Sequence, residues 1–111
     1  MSNSFNDREK GYEAKYQHDQ ETLFRITARR NKLLGLWAAA ELGMSGADAD
    51  AYAREVVAAD FEEAGDADVV RKVMADFADK GKELTEHRLR KEMEKLSVTA
   101  RDQIVNEGKA G

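Results

Sequence analysis

The stretch QETLFRITARRNKLLGLWAAAEL, Gln20 to Leu42, decides the fold. Leu23, Ile26, Leu33, Trp37 and Ala40 recur at the three- and four-residue spacing of one helical face, and Leu34, Leu36 and Ala38 widen the stripe. Gly43 follows at the point where glycine ends a helix well, because it takes the left-handed conformation without a Cβ clash. The spacing therefore predicts a long amphipathic helix. Its apolar run from Leu33 to Met44 contains Glu41 and is far short of the ~20 residues a membrane span needs, so it reads as core.

Downstream, start and stop signals divide the rest of the chain. In MSGADADAYAREVVAADFEEAG, Ser45 is the predicted N-cap and Gly65 the predicted end, with Asp48 and Asp50 early, where the helix dipole favours anions. Tyr52, Val56, Ala59 and Glu63 share a face, with Val57 and Phe61 beside it. A third helix is predicted from the cap Asp66 to Gly81, burying Val69, Val70, Val73, Met74 and Phe77. Thr85 is the predicted cap of a last helix through Leu89, Met93, Leu96, Ala100 and Ile104, fraying near Gly108. No segment alternates at period two and no internal repeat is visible. Short glycine-containing connections favour antiparallel neighbours, so the fold class is all-α, a four-helix bundle over residues 20–111.

The 111 residues suit one domain with one core, and 41% hydrophobic with 36% charged residues fits a small helical protein with a solvated surface. Without cysteine there is no disulfide framework and no thiolate metal site. The N-terminus offers no basic region followed by an apolar stretch, so a cytoplasmic protein is expected. Residues 1–19 sum to −1, 20–44 to +2, 45–81 to −6 and 82–111 to +1, which together make the net −4. No domain-wide basic face exists for a phosphate backbone, which argues against nucleic acid as the main partner.

Residues 1–19 have a different character. FNDREKGYEAKYQHDQE, Phe5 to Glu21, is mostly polar, yet on a helix Phe5, Tyr12 and Tyr16 lie within ~40° of one another. Ser4 with Asp7, or Asn6 with Glu9, offers a capping-box-like start. The helix is weak alone: Gly11 costs about 1 kcal/mol relative to alanine, and helix nucleation in water is unfavourable. The expectation is a segment mobile in the free protein and helical on a partner. Two uses of the aromatic stripe stay open from periodicity alone: docking on the bundle, or binding another protein.

Little of the sequence carries chemistry. His18 sits between this segment and the first helix, where protonation between pH 5 and 8 is a candidate switch. His87 is four residues after Glu83, but the Glu-x-x-His pairs of a bundle di-metal site are missing, so no metal is expected. There is no nucleophile elbow. Gly81-Lys82 has no upstream glycine at the phosphate-loop spacing, and Asp76 with Asp79 reads as a solvated carboxylate pair. No cofactor and no enzymatic activity are expected. ARRNK, Ala28 to Lys32, is the one basic cluster. Arg29, Arg30 and Lys32 read most simply as a solvated face, and functionally as a second partner contact.

The motifs now quoted carry a resemblance. F-N-D-R-E-K-G-Y-E-x-K-Y, then H-D-Q-E, A-R-R-N-K-L-L-G-L-W-A-A and E-V-V-x-A-D-F-E-E-A-G-D-x-D-V-x-R-K together resemble the zeta subunit of alphaproteobacterial F-type ATP synthases across nearly the whole chain. The resemblance implies an inhibitor of ATP hydrolysis, peripheral to the inner membrane through the ATP synthase head. Its N-terminal segment would enter the catalytic alpha/beta interface and reach the gamma subunit. On this sequence the resemblance places the inhibitory contacts at Phe5, Arg8, Glu9, Lys10, Tyr12, Glu13, Lys15 and Tyr16. A helix of ~15 residues is ~22 Å long, enough for a deep subunit cleft. The rival reading is a small helical ligand-binding module responding to adenine nucleotide.

Overall fold

Gly43 stands at φ +85° and closes a Schellman turn: its N–H donates to the Ala40 carbonyl at 3.1 Å, and that of Met44 to Ala39 at 2.8 Å. The turn ends α1 (Ser2–Glu41) in a computed structural model that describes the backbone of residues 2–61 and 65–110 and the side chains of residues 20–61 and 65–107. Three helices follow, α2 (Gly46–Ala59), α3 (Ala67–Asp79) and α4 (Glu86–Ala110), with no strand among the described residues. The all-α, four-helix expectation holds. The expected fraying near Gly108 lies outside the described side chains.

The ends of the helices show which local signals act. Thr85 caps α4 as predicted, its hydroxyl accepting the Arg88 N–H at 3.1 Å. Gly81, at φ +69°, ends α3 with the same Schellman pattern as Gly43. Ser45 has the extended backbone of an N-cap, but its hydroxyl makes no capping bond. Asp66 does not cap α3 with its carboxylate either; that group is taken by Arg30. Finally, α2 stops at Ala59, well before Gly65. The turn there closes by bonds from Asp60 to Val57 and Phe61 to Ala58, and Asp60 at the C-cap sets a carboxylate against the negative end of the helix dipole.

The core draws on all four helices: Leu34, Ala38 and Ala39 of α1, Tyr52 and Val56 of α2, Val69, Val70, Val73 and Phe77 of α3, and Leu89 and Met93 of α4. Burying a side chain such as Leu34 contributes roughly 1.5–3 kcal/mol. α1 packs on α2 and α4, and α3 closes the bundle from the other side against the same two. Glu41 pairs with Lys82 and Arg88 near the start of α4, and Arg29 pairs with Glu107 near its end, so α1 and α4 run antiparallel. Gly35 sits where α1 crosses α2: a Cβ there would stand 2.5 Å from the Ala53 Cα, inside contact distance. Here glycine is required for the close approach of two helices.

The predicted α1 face needs two corrections. Ala40 is exposed, because it lies about 120° from Leu34 around the helix. Leu23 is 51% exposed although it is eleven residues, about 1,100°, before Leu34 and so within about 20° of the same face, while Leu34 itself is fully buried. The difference is one of cover. From Ile26 onward the face is packed, and at Leu23 it opens to solvent. Trp37, predicted as core, is half-buried; its ring stacks on Phe77 at 6.0 Å, and the Arg88 guanidinium lies 5.8 Å from its centroid.

Candidate partner-binding surface

The inhibitory candidates Phe5, Arg8, Glu9, Lys10, Tyr12, Glu13, Lys15 and Tyr16, and the candidate switch His18, lie outside the described side chains. The ARRNK cluster is described in full, and its three cations part company. Arg29 reaches across to α4, donating to Gln103 Oε1 at 2.8 Å and to both oxygens of Glu107 at 2.8 and 3.1 Å. Arg30 is only 8% exposed and forms a two-pronged pair with Asp66 at 2.8 and 3.2 Å, while its Nε and Nη2 also donate to Asn31 Oδ1. Neither arginine is a freely solvated charge. Lys32 is the exposed member of the three and lines a cleft of about 400 Å³ with Asp50, Ala53, Arg54, Val57, Ala58 and Phe61.

Arg30 and Asn31 face the bundle because they share the face of Leu34 and Ala38, at i+4 and i+3 spacing. Sequence reading took the basic cluster for a surface, since guanidinium groups are seldom buried unless paired. The pair that permits burial, Asp66, is 36 residues away and has no local signature. Asn31 Nδ2 and Asp68 Oδ2 have no partner within the described residues, and Asp68 Oδ1 pairs with Arg71.

Asp76 and Asp79 do not form a solvated pair. Asp76 accepts the Tyr52 hydroxyl at 2.7 Å and lies 3.2 Å from Lys72 Nζ, while Asp79 is exposed. Lys72 also sits 5.1 Å from the centre of the Tyr52 ring and 3.7 Å from Glu55. Burial raises the Tyr52 phenol well above its ordinary value, and the hydrogen bond to Asp76 and the charges of Asp76 and Glu55 raise it further. This network ties α2 to α3. His87 is exposed, and no group of three or more His, Cys, Asp or Glu residues among the described residues is arranged to hold a metal ion.

The notable surface is apolar. Leu23 and Phe24 of α1, Phe61 after α2, and Val98 and Val105 of α4 are exposed. Phe24 and Phe61 meet each other at 6.2 Å with planes tilted by 43°. Leu23 turns the other way, into a groove between α1 and α4 lined by Thr22, Ile26, Arg101 and Val105. No helix among the described residues is long and apolar enough to cross a membrane. Phe24 and Phe61 partly cover one another, whereas the open groove at Leu23 suits contact with another protein.

The comparisons with known proteins bear on what that partner is. No curated protein matches the chain. Among solved structures, a solution NMR structure of a protein 51% identical in sequence covers 76% of this chain and 95% of its own, with a TM-score of 0.68. The sequence profile of the family described as ATPase inhibitor subunit zeta matches residues 1–103, nearly the whole length and including the aromatic segment. The chain therefore belongs to the ATPase inhibitor subunit zeta family.

Proposed function

We propose that this inhibitor subunit stops ATP hydrolysis by placing its N-terminal segment, Phe5 to about His18, at the catalytic alpha/beta interface of the F-type ATP synthase head, against the gamma subunit. One observation carries the reading: the apolar face of α1 opens to solvent at Leu23, on the side of the aromatic segment. The face is packed at Leu34 and Ile26 and half exposed at Leu23. By helical spacing it continues through Tyr16, Tyr12 and Phe5. An apolar stripe of this length needs a partner, and the family identifies the partner as an ATPase.

In this mechanism no bond is made or broken by the inhibitor. Phe5, Tyr12 and Tyr16 are the buried anchors, as aromatic residues commonly are at interfaces. Arg8, Glu9, Lys10, Glu13 and Lys15 set register and orientation more than affinity. The head turns over by opening and closing its catalytic interfaces, so a wedge that binds one interface conformation better than the others arrests the cycle by that differential affinity. Protonation of His18 modulates docking, and Lys32 supplies the second contact from the bundle. The protein acts in the cytoplasm, peripheral to the inner membrane through the head.

The test compares ATP hydrolysis by an isolated alphaproteobacterial ATPase head with the full chain and with a chain beginning at Asp19. Inhibition by the full chain alone is expected; equal inhibition by both would exclude the segment as the wedge. The rival small-ligand reading has one observation in its favour, the cleft whose lining includes Lys32, Arg54, Asp50 and Phe61. Titration with ADP followed by amide shifts tests it, and saturable shifts confined to those residues are its expected signature.

A further inference from the structure

The register of α1 carries the partner surface past the N-terminal segment and onto the bundle. Leu23 follows Tyr16 by seven residues and Phe5 by eighteen, five full helical turns, and α1 is helical from Ser2 to Glu41. Leu23 is thus the next member of the aromatic stripe, and it is the exposed wall of a groove of about 320 Å³ between α1 and α4. Ile26 and Val105 complete the apolar lining, Thr22 and Arg101 supply its polar groups, and Arg101 makes no ion pair among the described residues.

We propose that this groove is a second docking site for the same ATPase head, receiving an apolar side chain from the mouth of the catalytic interface while a carboxylate of that partner meets Arg101. The inference rests on the inhibitory reading above, because the continuity of one helical stripe names the occupant. At Ile26 the face is covered by the protein's own helices and at Leu23 it is half covered; before Leu23, on this proposal, the partner takes over. The groove is the seam between the two packings. Phe24, equally exposed, lies 100° around the helix and belongs to a different patch with Phe61.

The experiment uses the full chain and four variants: Leu23→Ser, Arg101→Glu, Phe24→Ser and the double variant Tyr12→Ala/Tyr16→Ala. Affinity for the isolated head and half-inhibitory concentration are read together with Tm and sedimentation. Leu23→Ser and Arg101→Glu are each expected to weaken binding about tenfold with Tm unchanged, as for a truncated interface anchor. Phe24→Ser is expected to bind like the parent chain. Parent-like binding by Leu23→Ser and Arg101→Glu, with binding lost only in the tyrosine double variant, would overturn the groove and leave the arm reading standing. If the parent chain does not bind the head, both fall. A parent dimer dissociated by Leu23→Ser would make a second copy the occupant and overturn the proposal.

Discussion

Gly35→Ala sets two known effects against each other. Alanine is the better helix former by about 1 kcal/mol, so on an open helix face the change would stabilise. In α1 the added Cβ meets the Ala53 Cα at 2.5 Å, the Ala53 Cβ at 3.0 Å and the Val56 Cβ at 3.3 Å. Carbon atoms pack at about 3.5–4.0 Å, and the nearest atom is backbone, so no rotamer change relieves the contact. α1 and α2 must separate by about 1 Å at the crossing, which loosens Leu34 against Val56. Overpacking of this kind costs about 1–3 kcal/mol, and a backbone collision belongs in the upper half. Subtracting the gain in propensity leaves a net loss of about 1–2 kcal/mol. For a domain of this size the Tm falls by about 5–15 °C, read by circular dichroism and checked by the urea midpoint. A Tm equal to or above that of the parent chain would show that the crossing is looser than described and that propensity wins.

Three further perturbations separate the roles of individual contacts. Trp37→Ala removes a half-buried ring stacked on Phe77 and is expected to cost about 2–3 kcal/mol in urea unfolding, below the 3–5 of a fully buried aromatic; a loss under about 0.5 kcal/mol would contradict the packing. Arg30→Met leaves Asn31 Oδ1 without its donor and removes two charge-assisted bonds to Asp66, at a cost of about 2 kcal/mol measured the same way, and an unchanged urea midpoint would contradict an internal role. The Tyr52 phenol is raised in the folded state, so its contribution is fully present below the unfolded value of about 10 and is lost as pH rises through and beyond it. Stability should therefore fall above about pH 10 more steeply in the parent chain than in Tyr52→Phe; identical slopes would mean that Tyr52 is not the group responsible.

What could be read from the sequence divides along physical lines. The buried stripe of α3 was legible, because Val69, Val70, Val73 and Phe77 fall within about 100° of one another around the helix, while its cap was not, since the Asp66 carboxylate goes to Arg30. Gly43, Gly81 and Thr85 were legible because their signals act within one turn. α1 was harder, since it is apolar over a broad arc and periodicity reports a face without saying where its cover ends. Leu23 and Leu34 share a face and differ only in what lies over them. Arg30 and Gly35 were missed for a related reason: each is explained by a residue on another helix, Asp66 for the one and Ala53 for the other. The end of α2 was misplaced because Gly65 was read as the only stop, whereas Asp60 at the C-cap comes first. At the candidate site the aromatic stripe was visible from spacing, while its continuation into the Leu23 groove required the position of α4.

The central claim is that one face of α1 is shared between the bundle and the ATPase head. It is tested most directly by inhibition of ATP hydrolysis by the full chain carrying Tyr12→Ala and Tyr16→Ala, with Tm measured on the same sample. Inhibition should weaken by about 1–3 kcal/mol for each tyrosine with an unchanged Tm, because anchors that serve the partner leave the core alone. Full inhibition by the double variant would contradict the anchor role of the stripe, and a loss of Tm would mean that the tyrosines pack on the bundle itself.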